Sequence, residues 1–366
     1  MHHLSASRRV LSVLVAFALL LAACGGDDEA TTTTTTTSTT IAPTTTPATT
    51  AAPTTTTTVA PTTTAISGPL SPINGIVAES DEELDRRVVA VKIDNHPSAR
   101  PQSGLEQADA VYELLVEGGL TRFIALFHDN DTEYLGPIRS GRPTDAELVG
   151  FLDATFNISG ASGWIIRYLA NRDIHMLGEG SGSFRIGSRG APHNLYGNTV
   201  DMRDFADRND YPDEIPPAMF EFGDVQLEGE EVTSVSLNWS SDWPNVNYEW
   251  DGERFLRSNG STPFMWMDTE GNQEQLAFDT LVVIFGRRYT AAPSDPSQGV
   301  AVPATDTVGE GRVLVFAQGV VVEGTWSRED RLTPFELVYE DGSPLVVPPG
   351  VPYIAIFPDS RSVTWE

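Results

Sequence analysis

Two runs rich in β-branched and aromatic residues, Ala110 to Glu117 and Leu120 to His128, stand on either side of Gly118-Gly119. A glycine pair adopts the positive φ of a two-residue primed turn, so the runs are predicted to pair as an antiparallel hairpin. With that turn, Glu117 faces Leu120, Leu115 faces Arg122, Glu113 faces Ile124 and Asp109 faces His128. Side-chain alternation then puts Tyr112, Leu114, Val116, Phe123, Ala125 and Phe127 on a core-facing side. The other side carries Asp109, Glu113, Glu117, Arg122 and His128 among Val111, Leu115, Ile124 and Leu126, and reads as a half-solvated face with cross-strand ion pairs. A chain with this hairpin at its centre must build a sheet around it.

The flanking segments add polar chemistry. Upstream, Val88 to Asp94 is an apolar strand ending at Asp94-Asn95-His96-Pro97, with Arg100 close behind, a polar strand end of the kind that opens a cleft. Downstream, the glycine-rich loop Gly136 to Pro143 carries Arg139, Ser140 and Arg142 into a predicted helix. Thr144 and Glu147 have capping-box spacing there, and Leu148, Phe151, Leu152 and Thr155 keep the helical period. Backbone N–H groups at a helix start and two guanidinium forks suit a carboxylate or phosphate. The same arginines are equally placed to pair internally with Glu113, Glu117 or Asp145. A later loop contributes Arg185, Arg189, His193 and Asn194. The ligand-binding candidates are therefore Asp94, Asn95, His96, Arg100, Glu113, Glu117, Arg122, Arg139, Ser140, Arg142, His193 and Asn194.

Residues 1–23 read as a lipoprotein signal peptide: Arg8 and Arg9, an apolar run from Val10 to Leu21, then Leu21-Ala22-Ala23-Cys24 as a lipobox. The run is too short for a stable transmembrane helix. Cys24 is the chain's one cysteine, which excludes an internal disulfide and a cysteine metal site and leaves a thiol for the diacylglycerol thioether. Further acylation of palmitate type gives the multiple chains that hold a protein on a membrane. Residues 24–67 form the lipidated cysteine and a tether of Thr, Ala and Pro. Such low complexity buries too little apolar surface to order itself. As a coil its Thr-rich part reaches roughly 35 Å, and as polyproline II roughly 125 Å.

The remainder divides into an N-terminal mixed α/β domain, 68–222, with three helices around a hairpin-centred sheet, and a smaller, mostly-β domain, 223–366. The fold class is α+β. In the second part Leu281 to Phe285 is a continuous apolar run, and Arg312 to Ala317 with Val320 to Trp326 make a hairpin around Gln318-Gly319. Trp243, Trp250, Trp266 and Trp326 read as core rather than as a sugar platform. A net charge of −28 repels nucleic acid and anionic lipid, so the membrane link falls to the lipid and not to a basic patch. Against that background twelve arginines lie between Arg86 and Arg208.

Several chemistries fit poorly. Glu113 and Glu117, on one strand, have Cα atoms roughly 13 Å apart, beyond the roughly 5 to 9.5 Å between the carboxyl groups of a glycosidase. No nucleophile elbow and no phosphate-binding glycine loop with a lysine is present. Asp94, His96, His128, Asp129 and Asp131 hold metal-type donors, but Tyr134 stands where a calcium loop needs glycine. No metal and no cofactor is expected.

The strings VKIDNHPSARPQSGLEQADAVYE, VEGGLTRFIALF, GPIRSGRP and APHNLY, with the later GTWSRED and LVVPPGVPYIAIFP, resemble the YerB-like bacterial lipoprotein family, domain of unknown function 3048, across the chain after the tether. The resemblance implies a lipid-anchored protein on the extracytoplasmic face of the membrane and brings no reaction with it. The expected function is to bind an anionic or glycan, cell-wall-like ligand through the N-terminal domain. The alternative is an envelope hydrolase or transferase using Asp94, His96 or Glu113 as acid or base. Convergence of Asp94, His96, Glu113 and Arg139 in one cleft would favour the enzyme.

Overall fold

The structure is a computed structural model and describes residues 68–366. The signal segment, Cys24 and the tether lie outside these residues. The first helix, α1 (Asp81–Leu84), is one turn. The sheet begins with β1 (Val89–Asp94) and continues into the predicted hairpin, β2 (Ala110–Leu115) and β3 (Thr121–Phe127).

The hairpin is present, but its turn has three residues rather than two. The Val116 N–H donates to the Leu120 carbonyl at 2.7 Å, closing Glu117-Gly118-Gly119, with φ near 70° at both glycines. Glu117 leaves the ladder. The pairing is Leu115 with Thr121, Glu113 with Phe123 and Val111 with Ala125, one residue from the expected register, and a one-residue slip turns every side chain of β3 to the other face. Glu113 therefore sits among Val111, Leu115, Phe123, Ala125 and Phe127, while Arg122 joins Tyr112, Leu114, Ile124 and Leu126. The two residues expected to share a face lie on opposite ones. Asp109 closes the far end of the hairpin, its Oδ2 accepting from the N–H groups of His128, Asp129 and Asn130 at 2.6, 3.0 and 3.1 Å.

Neither hairpin face is half-solvated. Every residue of β1, β2 and β3 is buried, because the hairpin lies inside one large mixed sheet covered on both sides. On one flank β1 pairs in parallel with β4 (Thr155–Asn157), and β4 with β5 (His175–Leu177). On the other flank β2 pairs in parallel with the strand Pro352–Pro358, which pairs in parallel with Thr280–Gly286. The antiparallel strands Gly309–Ala317, Val320–Arg328 and Glu336–Val338 finish that side. The sheet thus runs across residue 222 without a break.

Helices α2 (Pro143–Val149) and α3 (Gly163–Ala170) cover one face together with the 3-10 turn Gly150–Leu152, and Leu148, Leu152, Trp164 and Leu169 pack into the cluster of Tyr112, Ile124, Val282 and Ile356. Each such side chain contributes about 1.5–3 kcal/mol on burial. The other face is covered by a small antiparallel sheet, Ser234–Leu237, Val246–Trp250, Phe255–Asn259 and Val363–Trp365. Its Val235, Tyr248 and Phe255 meet Phe123, Leu281, Phe316 and Tyr353. Helix α4 (Thr199–Asp207) is capped by Asn198, whose side chain accepts from Val200 and Asp201 N–H.

The start of α2 differs from expectation. Pro143 opens the helix, Arg142 is its cap residue, and Asp145 at the third position takes the Arg142 N–H at 2.7 Å. Thr144 instead accepts from the Thr305 N–H, and Thr155 belongs to β4. Of the four tryptophans read as core, Trp326 is buried, Trp250 and Trp266 are half-buried, and Trp243 is 38% exposed.

Candidate functional site

Two polar centres lie back to back where β1 ends, because consecutive residues there take opposite roles. Asp94 serves the rim of the parallel strands, and Asn95 serves the space behind the hairpin tip.

At the rim, the loop after Gly136 is stitched onto β1: the Asp94 N–H donates to the Pro137 carbonyl at 2.8 Å and the Arg139 N–H to the Lys92 carbonyl at 2.7 Å. This brings Arg139 Nε within 3.1 Å of Asp94 Oδ2. His193 Nδ1 reaches the same oxygen at 2.8 Å, and its ring stacks on His96 at 5.1 Å between centroids. The His96 backbone N–H donates to Asp94 Oδ1 at 3.1 Å. Arg142 Nε donates to Glu117 Oε2 at 2.8 Å, and its Nη1 to the Gly141 carbonyl at 2.7 Å. The Ser140 carbonyl accepts from Arg122 Nη1 at 2.7 Å and from Arg142 at 3.4 Å.

The loop therefore gathers the expected arginines, one with an expected partner and one with another. Arg139 pairs with Asp94, Arg142 pairs with Glu117, and neither meets Glu113. The N-terminal N–H groups expected to receive a ligand are part-occupied by the chain's own Asp145. Arg122 is the exception among the three. It is 8% exposed, makes its hydrogen bond to a carbonyl, and has no carboxylate in ion-pair range among the described residues. Burial, and after it the neighbouring Arg142, pulls its pKa down to about 10. Beneath the rim Lys92 and Asp145 form a wholly buried pair at 2.6 Å. Burial outweighs the attraction of Asp145 and lowers the lysine to about 8.

Behind the hairpin tip, Glu113 is enclosed. Arg257 Nη2 donates to its two oxygens at 3.1 and 3.2 Å, Asn95 donates at 3.2 Å, and the Thr121 hydroxyl closes the remaining site. Arg257 lies over the Phe264 ring at 4.0 Å. Arg100 is held by Asn95, from Nε to Oδ1 at 3.1 Å and from Nη2 to the backbone carbonyl at 2.9 Å. Asn194 stands apart, accepting from Arg185 at 2.8 Å while Arg185 grips Glu179. So Asp94, His96, His193, Arg122, Arg139, Ser140, Arg142 and Glu117 form the rim, and Asn95, Arg100 and Glu113 form the second centre.

Arg257 and Thr121 were not foreseen. Thr121 was within reach of a correct hairpin register. Arg257 follows Phe255 and Leu256 in a strand more than a hundred residues away, and no local pattern ties it to Glu113. Among the described residues no helix is long and apolar enough to cross a membrane.

Two family profiles match the chain, both described as protein of unknown function DUF3048: the N-terminal domain over residues 74–212 and the C-terminal domain over 235–354. The chain is similar to the putative lipoprotein YerB of Bacillus subtilis, 28% identical over 297 residues, covering 79% of this chain and 86% of that protein. It is also similar to the crystal structure of YerB from Bacillus subtilis, with a TM-score of 0.67 at 27% identity, over 81% of this chain and 99% of that one.

Proposed function

The chain belongs to the DUF3048 family, whose N- and C-terminal domains it carries in order, and on that premise we propose a lipid-anchored, extracytoplasmic binding protein that holds an anionic, glycan-bearing envelope ligand at the rim beyond β1. Arg122 carries this reading. A guanidinium taken out of water without a carboxylate in contact is costly; Arg122 touches a carbonyl, and the attraction of Asp94 and Glu117 from beyond ion-pair distance is outweighed by burial and Arg142. Arg139 and Arg142 stand beside it with their charges already matched, so an incoming anion meets a local excess of positive charge in a chain that is otherwise acidic. The lipobox ending at Cys24 and the likeness to a putative lipoprotein support the anchor, and the Thr-rich tether would let the folded part stand clear of the membrane. We place the domain boundary near residue 222, within the interval between the two family matches.

A second reading, hydrolysis or group transfer on a wall polymer, draws on the Asp94–His193 pair, an orientation that prepares an imidazole to move a proton. The enclosure of Glu113, which removes the third group this reading wanted, weighs against it.

The test is thermal unfolding of the purified full chain with inorganic phosphate and with acetate. The expected result is that at least one anion raises the parent melting temperature by a few degrees and leaves Arg122→Gln unmoved. Equal behaviour of parent and variant would return these arginines to the scaffold, and release of fragments from wall polymer that depends on His193 would favour the enzyme.

A further inference from the structure

A cavity of about 410 Å³ opens behind the hairpin tip, walled by Asn95, Arg100 and Thr121 on one side and by Trp239, Trp243 and Phe264 on the other. This mix of aromatic walls and a few fixed polar groups is the usual make-up of a small-molecule site. Two features of the wall describe its occupant.

The first is charge. Arg100 makes both of its hydrogen bonds to neutral oxygens of Asn95 and has no ion-pair partner among the described residues. Arg257, close behind it, has its charge met by Glu113. Arg100 is thus the one charged side chain lining the cavity, and a planar carboxylate is the anion whose two oxygens match a guanidinium fork.

The second is a fixed platform. Trp243 is 38% exposed, yet its indole is not free to turn, because Nε1 donates to the Gly118 carbonyl at 2.8 Å. An exposed indole held in one orientation presents a flat, electron-rich face at little further cost in side-chain entropy.

We propose that this cavity is a subsite for one acidic sugar, a pyranose ring bearing a carboxylate. The ring lies on Trp243, where C–H bonds with slight positive charge meet the negative π face. The carboxylate meets Arg100. Ring hydroxyls meet the amides of Asn259 and Gln273, which also line the cavity. A ringless anion leaves the indole uncovered, a neutral sugar leaves Arg100 uncompensated, and an aromatic acid leaves the amides without partners. The assignment stands apart from the rim reading, since none of its residues belongs to the rim.

The experiment is titration of the full chain, followed by tryptophan fluorescence and ligand-observed NMR, with D-glucuronate, D-glucose, benzoate and acetate as probes. Glucuronate is expected to bind at least tenfold more tightly than each of the others. Arg100→Gln should bring glucuronate down to the level of glucose. Trp243→Ala, at an exposed position that leaves the melting temperature within a few degrees of the parent, should weaken both sugars about tenfold. Arg122→Gln should leave glucuronate binding unchanged while removing the rim site. No glucuronate binding, equal affinity for glucose, tighter binding of benzoate, or indifference to Trp243→Ala would each overturn the proposal. Loss of rim binding alone would not touch it.

Discussion

The chain's one lysine occupies the most demanding position in the molecule. Lys92 and Asp145 are both fully buried, and removing one member of such a pair leaves a lone charge in the interior. Lys92→Met is expected to cost on the order of 3 to 5 kcal/mol, measured by denaturant unfolding. Lys92→Met with Asp145→Asn should recover most of that loss, because asparagine still accepts the Arg142 N–H that Asp145 takes now. The pair also has a pH signature. The folded lysine loses its proton near pH 8, whereas in the unfolded chain it does so near 10.4. Between those values the unfolded state binds more protons, so the lysine's contribution makes stability rise with pH. The melting temperature of the parent relative to the double variant should therefore climb from about pH 8 to about 10.5, and a flat difference would contradict the assignment. At this scale the sequence was informative about residue types and less so about partners. Asp94, Arg139 and His193 do meet, and Arg142 does pair with Glu117, but Arg257 reaches Glu113 across a separation no spacing rule covers.

The two glycine-containing turns show what limits reading at the level of elements. Gln318-Gly319 closes the hairpin of Gly309–Ala317 and Val320–Arg328 as a two-residue loop, with φ of 55° and 75° and Ala317 opposite Val320, as its sequence predicts. Gly118-Gly119 has the same apparent signature, yet Glu117 joins the turn and its carboxylate goes to Arg142. The partner that draws Glu117 out of the strand lies beyond the hairpin, and so the register was not local information. Both glycines have positive φ, but they are not equivalent. A Cβ on Gly118 would meet open space, whereas one on Gly119 would run into the side chain of Ser240. Gly118→Ala should cost about 1 to 2 kcal/mol from backbone strain alone. Gly119→Ala should cost clearly more, and calorimetric melting of the two variants orders them.

For the whole molecule the informative strand is Pro352–Pro358. In the sequence it stands out only through the family resemblance, and nothing in it announced that its neighbours would be β2 on one side and Thr280–Gly286 on the other, because parallel partners are chosen by long-range packing. The α+β class and most elements were legible from periodicity, and the single sheet joining both parts was not. The chain ending at residue 351, and separately the fragment 68–222, should each lack a cooperative melting transition and the near-ultraviolet dichroism of packed aromatic side chains. A sharp transition in either would mean that the parts can close their cores alone. The position of that strand also sets a clock. A polypeptide is made and threaded from its N-terminus, and here the piece that closes the middle of the large sheet emerges after every other strand of that sheet. Until residues 352–366 are free, β2 presents an unpaired edge of the kind that invites association with other chains. A product that stops before residue 352 therefore lacks the strand that joins the two halves of the sheet.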